Sequence, residues 1–348
     1  MSRPRVAVVG TGMAGAACAA RLARADVEVV LFDKARGVGG RLATRRVVLP
    51  GPDGTDQEVA FDHGAPFFTA RSPGFAAAVD EAAGAGWLVP WSPRWAPDSF
   101  QPLEQEAAWL AQPRMTRWCA QLCAGVPVHL NAQVVQLVRR GGRWAVHADA
   151  PVGVVDGFTH VVVAVPPAQA APWLLEHRPD WAHEARHWAL QPCWTWLGVA
   201  EHTPEAPAWD VCRPPRGPLA WLLRQDTRPG RAAPPGWTPW VAHATAEWSR
   251  LWLEAAPEAV EAALRPAVQA LLGEGVRWRG SWVHRWRYAQ SARSVAAQPA
   301  PWCDDALGLA VAGDYLGGGG VEGAWRSGQA VAEHWLATLA GDAGRPGA

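Results

Sequence analysis

Lysine is nearly missing from this chain of 348 residues: of its 32 cationic side chains only one, Lys34, is a lysine. Tyrosine is almost as scarce, with Tyr288 and Tyr315 alone. No charge of either sign is in surplus, since 32 Asp and Glu offset 32 Lys and Arg, so nothing in the balance points to nucleic acid, an anionic membrane or a polyanionic substrate. No apolar run reaches the roughly 18 residues a membrane-spanning helix needs, and none is expected to span a membrane. The six cysteines (Cys18, Cys119, Cys123, Cys193, Cys212, Cys303) show neither a disulfide framework nor paired CxxC metal spacing. Cys119 and Cys123 stand four apart on an expected helix and could form a ligand pair. Buried thiols acting as small hydrophobes are the better account, so no metal is expected and a reducing cytoplasm fits.

What the chain has in quantity is apolar surface, 49% of residues, the level of an ordinary globular protein large enough for two domains. Its 23 tryptophans are scattered from Trp87 to Trp335, which speaks for core packing rather than one aromatic box. The opening stretch has the early arginines, apolar run and small residues of a secretory leader, but glycines interrupt it. It reads better as strand (5–9), glycine turn, helix (13–24) and second strand (27–32). Helical pattern follows from 74 to 124 with a break at Pro113, then two β-rich stretches around the Arg140-Gly141-Gly142 turn, and a buried strand at 160–167 stopped by prolines. Between 190 and 290, strands alternate with Pro-rich connections and one long helix near 257–273, as in an antiparallel sheet capped by helices. A last apolar run enters a glycine turn and a helix over 322–339.

The turn Gly10-Thr11-Gly12-Met13-Ala14-Gly15 follows a strand and opens a helix, so its backbone amides can face a pyrophosphate. Gly10 permits the tight turn, Gly12 lets the backbone near the phosphates, and Gly15 lets helix and strand pack closely. Asp33 ends the second strand, where a carboxylate reaches ribose hydroxyls, with Lys34 beside it. Gly39-Gly40-Arg41 comes directly afterwards, an element a simple nicotinamide site does not require.

This GGR resembles that of the flavin amine oxidase and phytoene desaturase superfamily, which implies FAD as cofactor and a pyrophosphate-supporting role for Arg41. The segment Phe61 to Arg71 (FDHGAPFFTAR), Ala312-Gly313-Asp314-Tyr315, Trp240 to Thr245, Arg228-Pro229-Gly230-Arg231 and His284 to Ala289 narrow the likeness. Over nearly its whole length the chain resembles the bacterial renalase-like flavoproteins, departing from their pattern in Pro66, where Gln is usual, and Arg228, where Lys is usual.

The resemblance implies an α/β fold of amine oxidase-like two-domain architecture: a Rossmann-type FAD-binding domain from 1–70, 126–172 and 296–342, and an α+β substrate domain with an antiparallel sheet from 71–125 and 173–295, with 343–348 as a flexible tail. It places Gly64 and Ala65 against the flavin ring, Val134 at the adenine, Gly313 and Asp314 at the ribityl or phosphate region, and the helix start at Val321 and Glu322 at the flavin pyrimidine. A helix N-terminus there would stabilise negative charge on reduced flavin. No covalent flavin attachment is expected.

The implied reaction is oxidation of 2- or 6-dihydroNAD(P), with dioxygen as final acceptor and hydrogen peroxide as product. Because aromatisation drives hydride loss, stacking and orientation suffice without a strong base. His63, Trp248, Arg287, Tyr288, Tyr315 and Trp325 are the candidates for that task. His243 and His284 are read as structural histidines. Two alternatives remain: an amine oxidase, weakened because many such enzymes place a lysine near the flavin and because two tyrosines cannot form an all-tyrosine cage; and a non-catalytic FAD-binding protein.

Overall fold

The computed structural model describes residues 4–51, 53–97, 99–100, 107–201, 207–291 and 301–343. The opening strand Arg5–Val9 is buried from Val6 onward, which suits the centre of a parallel sheet covered on both faces. It pairs in parallel with Glu28–Phe32 on one side and His160–Val163 on the other. The sheet continues outward to Val128–His129 beyond one neighbour, and to Leu309–Val311 and the antiparallel edge strand Trp302–Asp304 beyond the other. The chain thus turns outward in both directions from its first strand, and the cleft beyond the strand ends at that switch point is where such folds bind ligands.

Helix Met13–Ala23 is rich in alanine because another helix, Gly320–Ala343, lies against it at backbone distance. A Cβ at Gly328 would stand 2.1 Å from the Ala14 carbonyl oxygen, so this crossing admits only glycine. The final helix reaches Ala343; the expected tail beyond it, 344–348, lies outside the described residues, as do 296–300 of the expected third cofactor segment.

The second large layer is an antiparallel sheet with strand order Val211–Cys212, Leu219–Arg224, Trp237–Ala244, Leu190–Glu201, Trp278–Ser291. One face carries Trp194, Trp196, Trp240, Ala242 and Leu222, which pack on helix Pro257–Leu272 through Val260, Leu264 and Val268. Side chains alternate between faces along a strand, so the intervening residues must point the other way. In register across four strands these are Trp221, His243, Thr195 and His284. Of that row Trp221, His243 and His284 line the cleft, and Thr195 is buried beneath it.

The helical reading of 74–124 holds for Pro73–Gly84 and Arg117–Leu122 only. Between them Leu88–Trp91 pairs antiparallel with Ala108–Ala111, for Pro90 removes a backbone donor a helix would need, while Leu88, Trp91, Leu110 and Ala111 bury one apolar face. The strand expected over 160–167 ends at Val163, and its prolines start helix Pro167–Leu174, with Pro167 at the first helical turn, where its missing N–H costs nothing. Val154–Phe158 adds a third strand to the expected pair at 134–148. A further hairpin, Thr44–Pro50 with Asp56–Asp62, joins the GGR turn to His63.

Candidate functional site

A single cleft of about 3450 Å³ runs from the first glycine turn to the antiparallel sheet. Pockets for one small ligand are typically about 300–1,000 Å³, so this one has room for an extended dinucleotide and a second molecule. Gly10 adopts φ +111°, and a Cβ there would lie 2.3 Å from the Ala164 carbonyl oxygen. A Cβ on Gly15 would lie 1.9 Å from the oxygen of Gly10, so Gly15 sits behind the turn as a packing residue and does not line the cleft. Gly12 is the N-cap of helix Met13–Ala23 and offers no side-chain cap, leaving first-turn amides to donate toward the cleft. Gly40 stands with its Cα facing that of Gly12, so the glycine turn and the GGR turn meet backbone to backbone.

Asp33 braces this arrangement. Its carboxylate accepts from the Thr11 amide (2.8 Å), the Thr11 hydroxyl (2.6 Å) and the Ala35 amide (2.8 Å). Of the roughly four acceptor positions of a carboxylate one remains, enough for one ribose hydroxyl. Lys34 and Val134 line the same end. Arg41 donates to both oxygens of buried Asp314 and to the carbonyl of Ala289, so the guanidinium expected at a pyrophosphate is held across the cleft by a carboxylate. Gly39, Gly64, Ala65, Gly313, Val321 and Glu322 line the cleft as well. Glu322 turns its carboxylate to the amides of Arg71 and Ser72, tying the last helix to the start of helix Pro73–Gly84. Open amides, a part-satisfied ribose-type carboxylate and glycine-only turns fit FAD.

At the opposite end, the backbone carbonyl of His63 accepts from His243 Nε2 (3.3 Å), Thr195 Oγ1 (3.3 Å) and Trp286 Nε1 (3.0 Å). The rings of His63, His284 and Trp286 contact one another edge-on or tilted, with centroids 4.5–5.1 Å apart. Burial, then the neighbouring imidazoles of His284 and His243, push the His63 pKa down to about 3. Burial pushes His243 and His284 down to about 4, in the latter case with help from Arg45. All three are neutral at pH 7. A histidine whose folded pKa lies below its unfolded value binds fewer protons when folded, so stability is lost as pH falls through the window from 6.5 to about 4. His243→Gln is expected to flatten that acid limb by on the order of 3 kcal/mol, measured as unfolding free energy between pH 4 and 7. An unchanged slope would show that His243 is not held neutral by burial.

Of the candidates for substrate contact, His63, Arg287, Tyr288 and Tyr315 line the cleft. Tyr315 is buried beside Trp188, its hydroxyl without a hydrogen-bond partner and its pKa raised by burial and by Asp314. Arg287 forks onto Glu254 at an exposed position. Trp248 and Trp325 are corrections, for neither lines the cleft. Trp248 stacks on Trp252 (4.9 Å) against the helix-covered face of the sheet, and Trp325 packs on Phe75 (5.4 Å). His243 and His284, read from the sequence as structural histidines, line the cleft, as do Arg45, Phe67, Trp91, Trp95, Arg213, Trp221 and Trp286, which the sequence reading did not single out as candidates. For His284, Trp286 and Tyr288 the every-second-residue spacing on one strand was the available signal.

Charge in the cleft is segregated. Among the described residues ten cationic side chains line it against four carboxylates, Asp33, Glu58, Asp314 and Glu322. The neutral total of the chain conceals this. No group of three or more potential metal ligands occurs among the described residues, nor any helix long and apolar enough to cross a membrane.

Residues 8–82 match the NAD(P)-binding Rossmann-like domain, and residues 73–336 match the flavin containing amine oxidoreductase family. Among solved structures, the chain is similar to a protein assigned as a protoporphyrinogen oxidase from Exiguobacterium sp. 255-15 (12% identity, 97% of this chain and 100% of that one, TM-score 0.72). A putrescine oxidase bound to putrescine is similar at 15% identity, over 97% of this chain and 99% of that one, with a TM-score of 0.64. An oxidoreductase from Methanosarcina mazei is similar at 14% identity, over 94% and 100% of the two chains, with a TM-score of 0.60. These structural likenesses carry the two-domain fold. The family match spans most of the chain and sets aside the non-catalytic alternative: the protein is an FAD-dependent oxidoreductase and belongs to the flavin containing amine oxidoreductase family.

Proposed function

We propose that this protein oxidises 2- or 6-dihydro isomers of NAD(P), passing two electrons to dioxygen: one dihydronicotinamide, one proton and one O2 give NAD(P)+ and hydrogen peroxide. When bound, FAD supplies the hydride acceptor that dioxygen reoxidises. The observation that carries this reading is the surplus of cations in the cleft. An ammonium substrate would enter a field of its own sign, whereas a nucleotide brings phosphates that the field attracts. Glu58, one of the four cleft carboxylates, is already shared between Arg46 and Arg114. The single lysine lines the opposite, ribose end. Phe67, Trp91, Trp221 and Trp286 offer flat surfaces for a dihydropyridine ring, and the neutral His63 and His284 offer hydrogen bonds without strong basicity, sufficient where aromatisation drives the reaction.

The same reading holds FAD noncovalently, on the domain formed by 1–70, 126–172 and 296–342, in a cytoplasmic protein that needs neither nucleic acid nor membrane. Six free thiols, five of them buried, support a reducing compartment. Anaerobic stopped-flow absorbance tests the substrate: 6-dihydroNAD and 2-dihydroNAD are expected to bleach the flavin rapidly, ordinary NADH and benzylamine slowly or not at all. Bleaching by benzylamine instead would make the protein an amine oxidase.

A further inference from the structure

We propose that Arg213, with the aromatic walls around it, is the anchor for an anionic oxygen group carried by a flat-ring substrate. Arg213 follows the edge strand Val211–Cys212 of the antiparallel sheet and lines the cleft half-buried. Its guanidinium carbon lies 4.5 Å from the centre of the Trp221 ring and 5.0 Å from that of Phe100. The five N–H donors of its planar guanidinium donate to no carboxylate or carbonyl among the described residues. Burial lowers its pKa, and among the described residues no neighbouring carboxylate restores it. The other cleft arginines near the sheet are differently placed: Arg46 pairs with Glu58, Arg285 and Arg287 with Glu254, and Arg45 donates to the Val283 carbonyl.

A partly desolvated cation without a counter-charge is costly to keep, and its planar fork matches carboxylate or phosphate oxygens two at a time. Beside it Trp221 meets Phe67 edge-on (5.5 Å) and Trp95 at a tilt (6.3 Å), and Phe67 in turn meets Trp91 (5.9 Å). A flat ring can lie among these rings while its anionic group reaches Arg213. In the same register row, Trp221 is joined through His243 and Thr195 to His284, so the anchor and the histidine cluster are fixed on one sheet face.

This deepens the dihydronicotinamide reading, in which the anionic group is a nucleotide phosphate, and it is tested separately. Calorimetric titration of the FAD-loaded protein with phenyl phosphate, benzoate, benzyl alcohol and benzylamine is expected to rank both anions above the alcohol and the amine last. Arg213→Gln is expected to weaken the anions about 10- to 100-fold and leave benzyl alcohol unchanged, while Arg213→Lys recovers part of the loss. Phenyl phosphate above benzoate would identify phosphate as the natural group; the reverse order would identify carboxylate. If the wild type binds benzyl alcohol as tightly as the anions, or if Arg213→Gln binds all four unchanged, the anchor is overturned; the wild-type ranking decides this even if the variant does not fold. Arg213-dependent anion binding without bleaching by any dihydronicotinamide would keep the anchor and refute that substrate. Bleaching by 6-dihydroNAD with an unchanged KM in Arg213→Gln would do the opposite.

Discussion

Asp33→Ala is expected to purify without yellow colour, with an FAD dissociation constant raised about 100- to 1000-fold, because the change removes the brace of the whole glycine turn together with the acceptor position left open toward the cleft. Three donors, from Thr11 twice and Ala35 once, converge on this carboxylate. Truncation leaves two backbone amides without their acceptor, and hydrogen bonds to a charged group are worth about 1.5–3 kcal/mol each. Asp33→Asn is expected to fail nearly as badly, since an amide NH2 would face one of those donors. Thr11→Val removes one hydroxyl contact and is expected to weaken FAD only about tenfold. Titration of the unfolded-and-refolded apoprotein with FAD, followed by flavin fluorescence, measures all three. Wild-type affinity in Asp33→Ala would mean that the cofactor does not lie along this turn.

The cofactor end was legible in the sequence because its determinants are local. Gly10 to Gly15, Asp33 and Gly39 to Arg41 all lie within the first 41 residues, and a turn that only glycine can make leaves its mark in the letters themselves. The sheet end of the cleft was read less well because it is assembled laterally. Trp221, His243, Thr195 and His284 are neighbours only through strand pairing, and register is set by tertiary packing that no single segment declares. Trp248 and Trp325 were misread for a related reason: proximity in sequence to a motif says nothing about which face of a helix carries the side chain. Neutral composition misled in the same way, since summing charges discards where they are. The strand pair at 88–91 and 108–111 was hidden by leucine and alanine, residues equally at home in a helix.

Arg231→Met is expected to destabilise the protein by about 3–5 kcal/mol, the cost of stripping a buried charge of its partner. Asp62 ends the strand that delivers His63, Gly64 and Ala65 to the cleft, and it is 2% exposed. Arg231 forks onto it, Thr44 and the Met115 amide donate to it, and Arg228 lies 3.8 Å away. Burial alone would raise the Asp62 pKa; Arg228, Arg231 and the hydrogen bonds together outweigh it and hold the carboxyl below its ordinary value. Arg228, itself wholly buried, donates to the Gln225 side chain and to the carbonyl of Pro66. The triad therefore pins both ends of the turn from Asp62 to Pro66. Because Asp62 is depressed when folded, the stability it contributes is present above its unfolded pKa and lost as pH falls through its folded value. Arg231→Met is expected to remove that contribution, so its deficit against wild type is full at neutral pH and shrinks only once the pH falls below the ordinary carboxylate value of 3.8, as urea unfolding at pH 7 and at about pH 2.5 would record. Replacing Asp62, Arg228 and Arg231 together by Leu, Met and Met is expected to cost less than Arg231→Met alone, since no bare charge stays buried. Such a variant should nonetheless show a shifted flavin absorbance band, having lost the donor that holds Pro66. Full stability in Arg231→Met would mean that Arg228 alone balances Asp62, and the turn would then hang on one arginine instead of two.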